Sequence, residues 1–285
     1  MARRIILILL VLVAALLPLP ARAETKNRGL YISPIRQEKL VSAGKSNEGS
    51  FTVANYTDKP MTVKLFVKQF SVSDFTYSYT FMEPKDNWIK LSDNLVNLQP
   101  NQNKRIGYIA EVPLGTTPGD HDFTLFASAD ITGQSMPVTV QATSLLYLTV
   151  EGKLIRTTEL RGSSIPFLVT GTDVAYKIIV ENTGNVHISA IFFGQLEGLF
   201  VKQAGLEAGH LLIPGAPLSI EGSIPMPLLP GLYKITYGFK ADDAQSITSK
   251  TAIILFIPPW SVIGIVLILM YGKWAGDRKR AGGAA

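Results

Sequence analysis

At 285 residues the chain is long enough for two ordinary domains beside short terminal segments. It has no cysteine, which excludes disulfide stabilisation, thiolate metal sites, a cysteine nucleophile and a lipid-bearing cysteine. The formal charge of +5 sits at the ends, on Arg3, Arg4 and Arg22 and on Lys273, Arg278, Lys279 and Arg280 against Asp277. The body between them is close to neutral, so the basic balance reports targeting and not a nucleic-acid footprint.

The first predicted element is a leader. Arg3 and Arg4 precede an apolar run from Ile5 to Leu17, and Ala21-Arg22-Ala23 supplies a small-x-small end. Residues 1–23 therefore read as a secretory signal cleaved after Ala23.

Residues 24–150 read as an immunoglobulin-like β-sandwich, domain 1. Short alternating runs carry the prediction: Phe51, Val53 and Asn55; Val63, Leu65 and Val67; Ile106, Tyr108, Ala110 and Val112; Phe123, Leu125, Ala127 and Ala129. Within it, Phe75, Tyr77, Tyr79 and Phe81 fall at even spacing, which on a strand puts all four on one face, and Trp88 follows. That stripe is the candidate ligand-binding face, suited to sugar rings or an extended peptide. The same pattern also suits an ordinary sandwich core. Ile35 to Leu40 carries charges of both signs, which protects a strand edge from pairing.

Leu145 to Val150 reads as the last strand of domain 1, and a stiff junction is expected near Glu151-Gly152. Residues 151–257 then read as a second immunoglobulin-like sandwich, domain 2, from the runs Tyr176, Ile178 and Val180 and Tyr233, Ile235, Tyr237 and Phe239. An internal repeat links the halves. Thr52 to Val63 matches Ile179 to Ala190, Leu98-Gln99-Pro100 matches Leu212-Ile213-Pro214, and Pro118-Gly119 matches Pro230-Gly231, all in the same order. Each marker is turn chemistry: Asn ends a strand and bonds its own backbone, and Pro-Gly opens the next strand. The surplus in the first copy falls around Ser71 to Ser92.

The closing segment is uncharged from Ile253 to Gly272 and broken by Pro258 and Pro259, and residues 258–274 are predicted to form one transmembrane helix. From Trp260 to Trp274 the span is only about 22 Å at 1.5 Å per residue, short for a lipid core of about 30 Å. Residues 275–285 read as a basic cytoplasmic tail, with the N-terminus extracytoplasmic. The expected fold class is thus all-β: two tandem sandwiches followed by one transmembrane helix.

Catalytic signatures are weak. His121, His187 and His210 stand apart, without the paired spacing of metal ligands, and no cofactor or metal is expected. Glu83 and Asp86 are near neighbours, the type of carboxylate pair a glycan hydrolase uses, but loop pairs of this kind are usually solvated.

The stretches Ile32 to Val67 and Trp88 to Ser128 resemble the N-terminal immunoglobulin-like domain of the WxL-interacting cell-surface proteins of Gram-positive bacteria. Ile32 to Pro34, Asn55, Pro100 and Pro118-Gly119 carry that resemblance. It implies a peptidoglycan-binding type of domain; the second domain departs from the family's host-binding domain. The first domain also resembles pilus chaperones, more faintly, and the anchor sets it apart from them. The expectation is a non-enzymatic scaffold of the bacterial cell surface, held in the bilayer by its C-terminal helix and keeping cell-wall glycan or a surface protein near the membrane. The alternatives are an assembly subunit of a larger envelope complex and an anchored glycan hydrolase.

Overall fold

In the computed structural model, residues 29–131, 138–199, 201–204, 208–241 and 247–282 are described. The expected leader, residues 1–23, lies outside them.

Domain 1 contains β1 (Leu30–Ser33), β2 (Arg36–Val41), β3 (Ser46–Asn55), β4 (Met61–Val72), β5 (Tyr79–Met82), β6 (Ile89–Leu91), β7 (Leu95–Leu98), β8 (Asn103–Glu111), β9 (Gly119–Ile131) and β10 (Val138–Val150). One sheet has the order β1-β3-β8-β6; the other has β2-β10-β9-β4-β5, with β7 also on β4. The alternation seen in the sequence is what makes two sheets close on each other: Val63 and Leu65 point into the core while Lys64 points out, and Ile106, Tyr108 and Ala110 do the same on the facing sheet. Phe51, Phe123, Leu125, Leu146 and Leu148 fill the space between.

Domain 2 repeats the plan with β11 (Thr158–Ser164), β12 (Leu168–Val169), β13 (Asp173–Asn182), β14 (Ile188–Glu197), β15 (Lys202–Ala204), β16 (Ala208–Leu212), β17 (Pro217–Pro225), β18 (Gly231–Ala241) and β19 (Ile247–Phe256). Its sheets run β11-β13-β17 and β12-β19-β18-β14-β15, with β16 also on β14. Strand for strand this is the order of domain 1, less one edge strand. In both copies an early strand lies parallel to the last: β2 beside β10 from Leu145↔Arg36 to Val150↔Val41, and β12 beside β19 at Leu168↔Leu255 and Val169↔Phe256.

The two asparagine markers occupy the same niche. The Asn55 Nδ2 donates to the carbonyls of Lys59 (2.8 Å) and Leu98 (3.1 Å), and its Oδ1 accepts from the Thr57 N–H (2.9 Å). The Asn182 Nδ2 donates to the carbonyls of Val186 (2.7 Å) and Leu212 (2.9 Å), and its Oδ1 accepts from the Gly184 N–H (2.9 Å). Both side chains are fully buried. A buried amide with all its partners made ties three backbone segments at one point, so Leu98 and Leu212 recur at matching places because each supplies a carbonyl to that knot.

The expected transmembrane helix is corrected. The apolar run is divided: Ile253 to Phe256 belong to β19, and α1 (Pro259–Gly282) begins only after Pro258. The uncharged part of α1 ends at Gly272, before Lys273, leaving roughly 21 Å of helix. Among the described residues, no helix is long and apolar enough to cross a membrane. The bilayer as a partner of that helix, the single-pass membrane location and the cytoplasmic tail fall with it.

Candidate functional site

The aromatic segment does not form one stripe. Phase is broken by a turn: the Ser73 N–H donates to the Ser78 carbonyl (3.0 Å), the Tyr77 N–H to the Ser73 carbonyl (3.2 Å), and Phe75 and Tyr77 sit at φ 65° and 50°. Non-glycine residues take that left-handed conformation only when their surroundings hold them there. Here the surroundings are domain 2. Phe75 forms a parallel bridge with Leu218: its N–H donates to the Pro217 carbonyl (2.6 Å) and its carbonyl accepts from the Ser219 N–H (3.0 Å). The Tyr77 hydroxyl donates to the Ala216 carbonyl (2.9 Å) and accepts from the Ile213 N–H (3.2 Å), with its ring against Ile213, Leu211 and Tyr147. Burial pushes the Tyr77 hydroxyl up to about 12, keeping it a donor. The segment is a strap from domain 1 to the edge of β17.

The other candidates separate from these two. Tyr79 and Phe81 lie on β5, half exposed with near-parallel rings, on the outer face of the sheet; Phe81 meets Phe126 edge-on and Tyr79 meets Phe70. Trp88 is in the core of domain 1, against His121 and Phe123. Thus Phe75 and Tyr77 come together at the domain junction, Tyr79 and Phe81 on the outer face, and Trp88 meets neither pair.

Sequence reasoning passed over the junction beside the strap. Asp120, on β9, accepts from the His187 backbone N–H (2.5 Å), from the His187 Nδ1–H (2.6 Å) and from the Thr149 hydroxyl (2.6 Å). Asn185 bonds the carbonyls of Pro118 (2.9 Å) and Lys153 (3.1 Å) and accepts from the Ile155 N–H (2.7 Å), so one side chain holds domain 1, the linker and domain 2. Gly119 packs directly under it at φ 127°, where a Cβ would come 2.5 Å from the Asn185 carbonyl oxygen. The string from Glu181 to His187 was visible as a repeat marker, but nothing in it said that its loop faces domain 1.

Next to this junction lies a cleft of about 450 Å³ lined by Arg36, Glu38, Lys39, Arg156 and His187 among others. Arg36 pairs with Glu38 (2.6 Å) and sits 4.9 Å over the Tyr147 ring. Thr149 of β10 also lines the cleft. Residues Leu145 to Val150 of that strand are covered by β2, but Val138 to Ser144 pair only with β9 among the described residues. The Leu145 N–H donates towards β2, to the Ile35 carbonyl (2.9 Å). By strand alternation the backbone groups of Thr139, Gln141 and Thr143 face the same, uncovered side. Val140 and Ala142 meanwhile pack on the core.

Among the described residues, no group of three or more His, Asp and Glu could hold a metal ion. Glu83 is engaged with Lys68 at the surface (3.2 Å).

No family model matches the chain, and no curated protein does. In structure it is similar to the class 5 fimbriae chaperone CfaA, at 13% identity and a TM-score of 0.43 over 80% of this chain and 99% of that one. It is similar to a chain of the chaperone–tip adhesin complex of CFA/I fimbriae biogenesis, at 15% identity and a TM-score of 0.40 over 81% and 99%. A third is a chain of the Salmonella enterica SafA pilin in complex with the SafB chaperone, at 14% identity and a TM-score of 0.38 over 81% and 98%. Likeness at this level says nothing of what the chain binds.

The resemblance to the WxL-interacting cell-surface proteins is corrected, since no family model matches and the similar structures carry fimbrial-chaperone names. The physical reason is that its markers are turn chemistry. Asn55, Pro100 and Pro118-Gly119 have counterparts in domain 2 of the same chain, so they identify a sandwich plan and not a ligand. The role built on it, a membrane-anchored holder of cell-wall glycan, is withdrawn.

Proposed function

We propose that the chain is a non-enzymatic binding protein of the chaperone type, which takes up an extended segment of a partner polypeptide as an added strand along Val138 to Ser144 of β10. The open edge supports this reading: three successive outward-facing residues, Thr139, Gln141 and Thr143, present backbone donors and acceptors with no strand opposite them among the described residues. Val140 and Ala142 beside them offer shallow apolar positions for alternate side chains of the incoming segment. The edge ends where β2 begins to cover it, at Leu145↔Arg36, so an added strand ends beside Arg36, which also lines the cleft. There Arg36, Lys39, Arg156 and His187 outnumber Glu38, a balance that suits an acidic side chain or a chain terminus. Two of the fimbrial structures named above contain a chaperone with a tip adhesin or a pilin; the open edge of this chain, not those names, carries the proposal.

Proline separates this from a merely structural role for β10. Gln141→Pro removes one edge-facing N–H and leaves the ladder to β9 intact, so it is expected to weaken binding of an extended peptide at least about tenfold while the melting temperature stays within a few degrees. Ala142→Pro strikes the β9 side and is expected to cost about 3 kcal/mol of stability. Isothermal titration with a panel of alternating apolar peptides, beside thermal unfolding, reads both. Equal binding by the parent and Gln141→Pro would reject strand addition at this edge.

A further inference from the structure

We infer that the domain junction is a pH-sensitive lock, in which Asp120 of β9 grips His187 of domain 2 in mildly acidic surroundings and releases it in alkaline ones. This deepens the strand-addition reading and rests on it, because the lock sits on the strand pair β9–β10 that also forms the open edge.

The geometry gathers an unusual number of ionisable groups at one point. From β9 come Asp120, whose side chain is 2% exposed, and Asp122, whose Oδ1 is buried without a hydrogen-bond partner. From domain 2 comes His187, its Nδ1 2.6 Å from Asp120 and its Nε2 3.9 Å from Glu38 of β2. Tyr147 of β10 lies against the imidazole at 4.8 Å between ring centres, with Arg36 over the Tyr147 ring, Tyr79 of β5 near that hydroxyl, and Lys39 and Arg156 along the adjoining cleft. One imidazole thus meets Asp120 directly, with Glu38 and Asp122 acting on it through their charge.

Each group favours the gripped state over a different pH range. Burial works against a charged His187, but the hydrogen bond and charge of Asp120, aided by Glu38 and Asp122, outweigh it and raise the imidazole above its ordinary value. Its contribution is present below about 6.5 and lost as pH rises through the raised value. Burial also opposes the charge on Asp120, yet the bonds from His187 and Thr149 hold it below the usual carboxylate range; its contribution is present above that range and lost in strong acid. Burial, with the charge of Asp120 and against the lowering by His187, pushes Asp122 up to about 7, so Asp122 is neutral in mild acid and adds no ionic hold on His187 there. The His187 and Asp120 ranges overlap between the ordinary carboxylate range and about 6.5, and His187 acts against the grip on the alkaline side.

The absence of native cysteine allows a direct test on the full chain. Leu114 of domain 1 and Leu228 of domain 2 are both exposed and serve as Cys labelling positions for energy transfer between the domains. Without any peptide, the ratio of gripped to released molecules is expected to fall about tenfold or more between pH 5.5 and 8.5. Asp120→Asn, which keeps the shape and removes the charge, is expected to take away at least half of that response, and His187→Gln to lower the ratio at pH 5.5 to the parent's alkaline level. A constant transfer efficiency in the parent, or an undiminished response in both variants, would overturn the lock. Failure of every alternating apolar peptide to bind at either pH would instead reject the strand-addition function and leave the energy-transfer result standing.

Discussion

Asn55→Ala is expected to remove about 3 kcal/mol from the stability of domain 1, and Asn182→Ala a similar amount from domain 2. Each amide donates twice from Nδ2 and accepts at Oδ1, fully out of water. Truncation takes the Asn55 donor from the buried Leu98 carbonyl, or the Asn182 donor from the buried carbonyls of Leu212 and Val186, at about 1–3 kcal/mol for each group that water cannot reach. Asn→Asp keeps the shape and reverses the donor, setting a carboxylate against those same carbonyls, so it is expected to be worse than Ala near neutral pH. Urea unfolding of the parent and the variants reads the difference as a shift in midpoint at constant slope. A loss below about 1 kcal/mol in either domain would mean that the amide is replaceable there by water and is not the pin of the sandwich.

Tyr77→Ala is expected to cost about 3 kcal/mol and to split one unfolding transition into two. The ring fills the gap among Ile213, Leu211 and Tyr147, and the hydroxyl closes the Ala216 carbonyl and the Ile213 N–H. Removing the ring removes the strap's hold on β17, and the domains then melt at their own temperatures. Tyr77→Phe keeps the packing and loses only the two hydrogen bonds, for about 1–2 kcal/mol and a still single transition. Scanning calorimetry distinguishes these outcomes. One sharp transition in Tyr77→Ala at an unchanged temperature would show that the Asp120–His187 and Asn185 contacts hold the domains without the strap.

The two sandwiches were legible because their signals are local. Alternation decides which face of a strand is buried, and the Asn and Leu-x-Pro markers recur at fixed places because each pair makes one buried knot. Even the surplus near Ser71 to Ser92 corresponds to real matter, the strap with β5 and β6. What misled was equally local. Phe75, Tyr77, Tyr79 and Phe81 alternate on paper, but the Ser73–Ser78 turn breaks the phase, and only contacts with Leu218 and Ala216, some 140 positions away, hold two of the rings in left-handed backbone. In the closing segment Pro258 and Pro259 mark where β19 stops and α1 starts; what misled was taking the apolar part of α1, which Lys273 ends, as long enough for a bilayer. The open edge of β10 has no sequence signature at all: it exists because β2 covers six residues of that strand and no more.

The parallel placement of an early strand beside the last one also bears on force. A pull on the two ends of domain 1 would load the β2–β10 ladder lengthwise, so that its rungs over six paired positions resist together. In domain 2 the corresponding β12–β19 ladder spans only two positions. Under tension the second sandwich would therefore be the first to tear, and the first would hold as the stronger link.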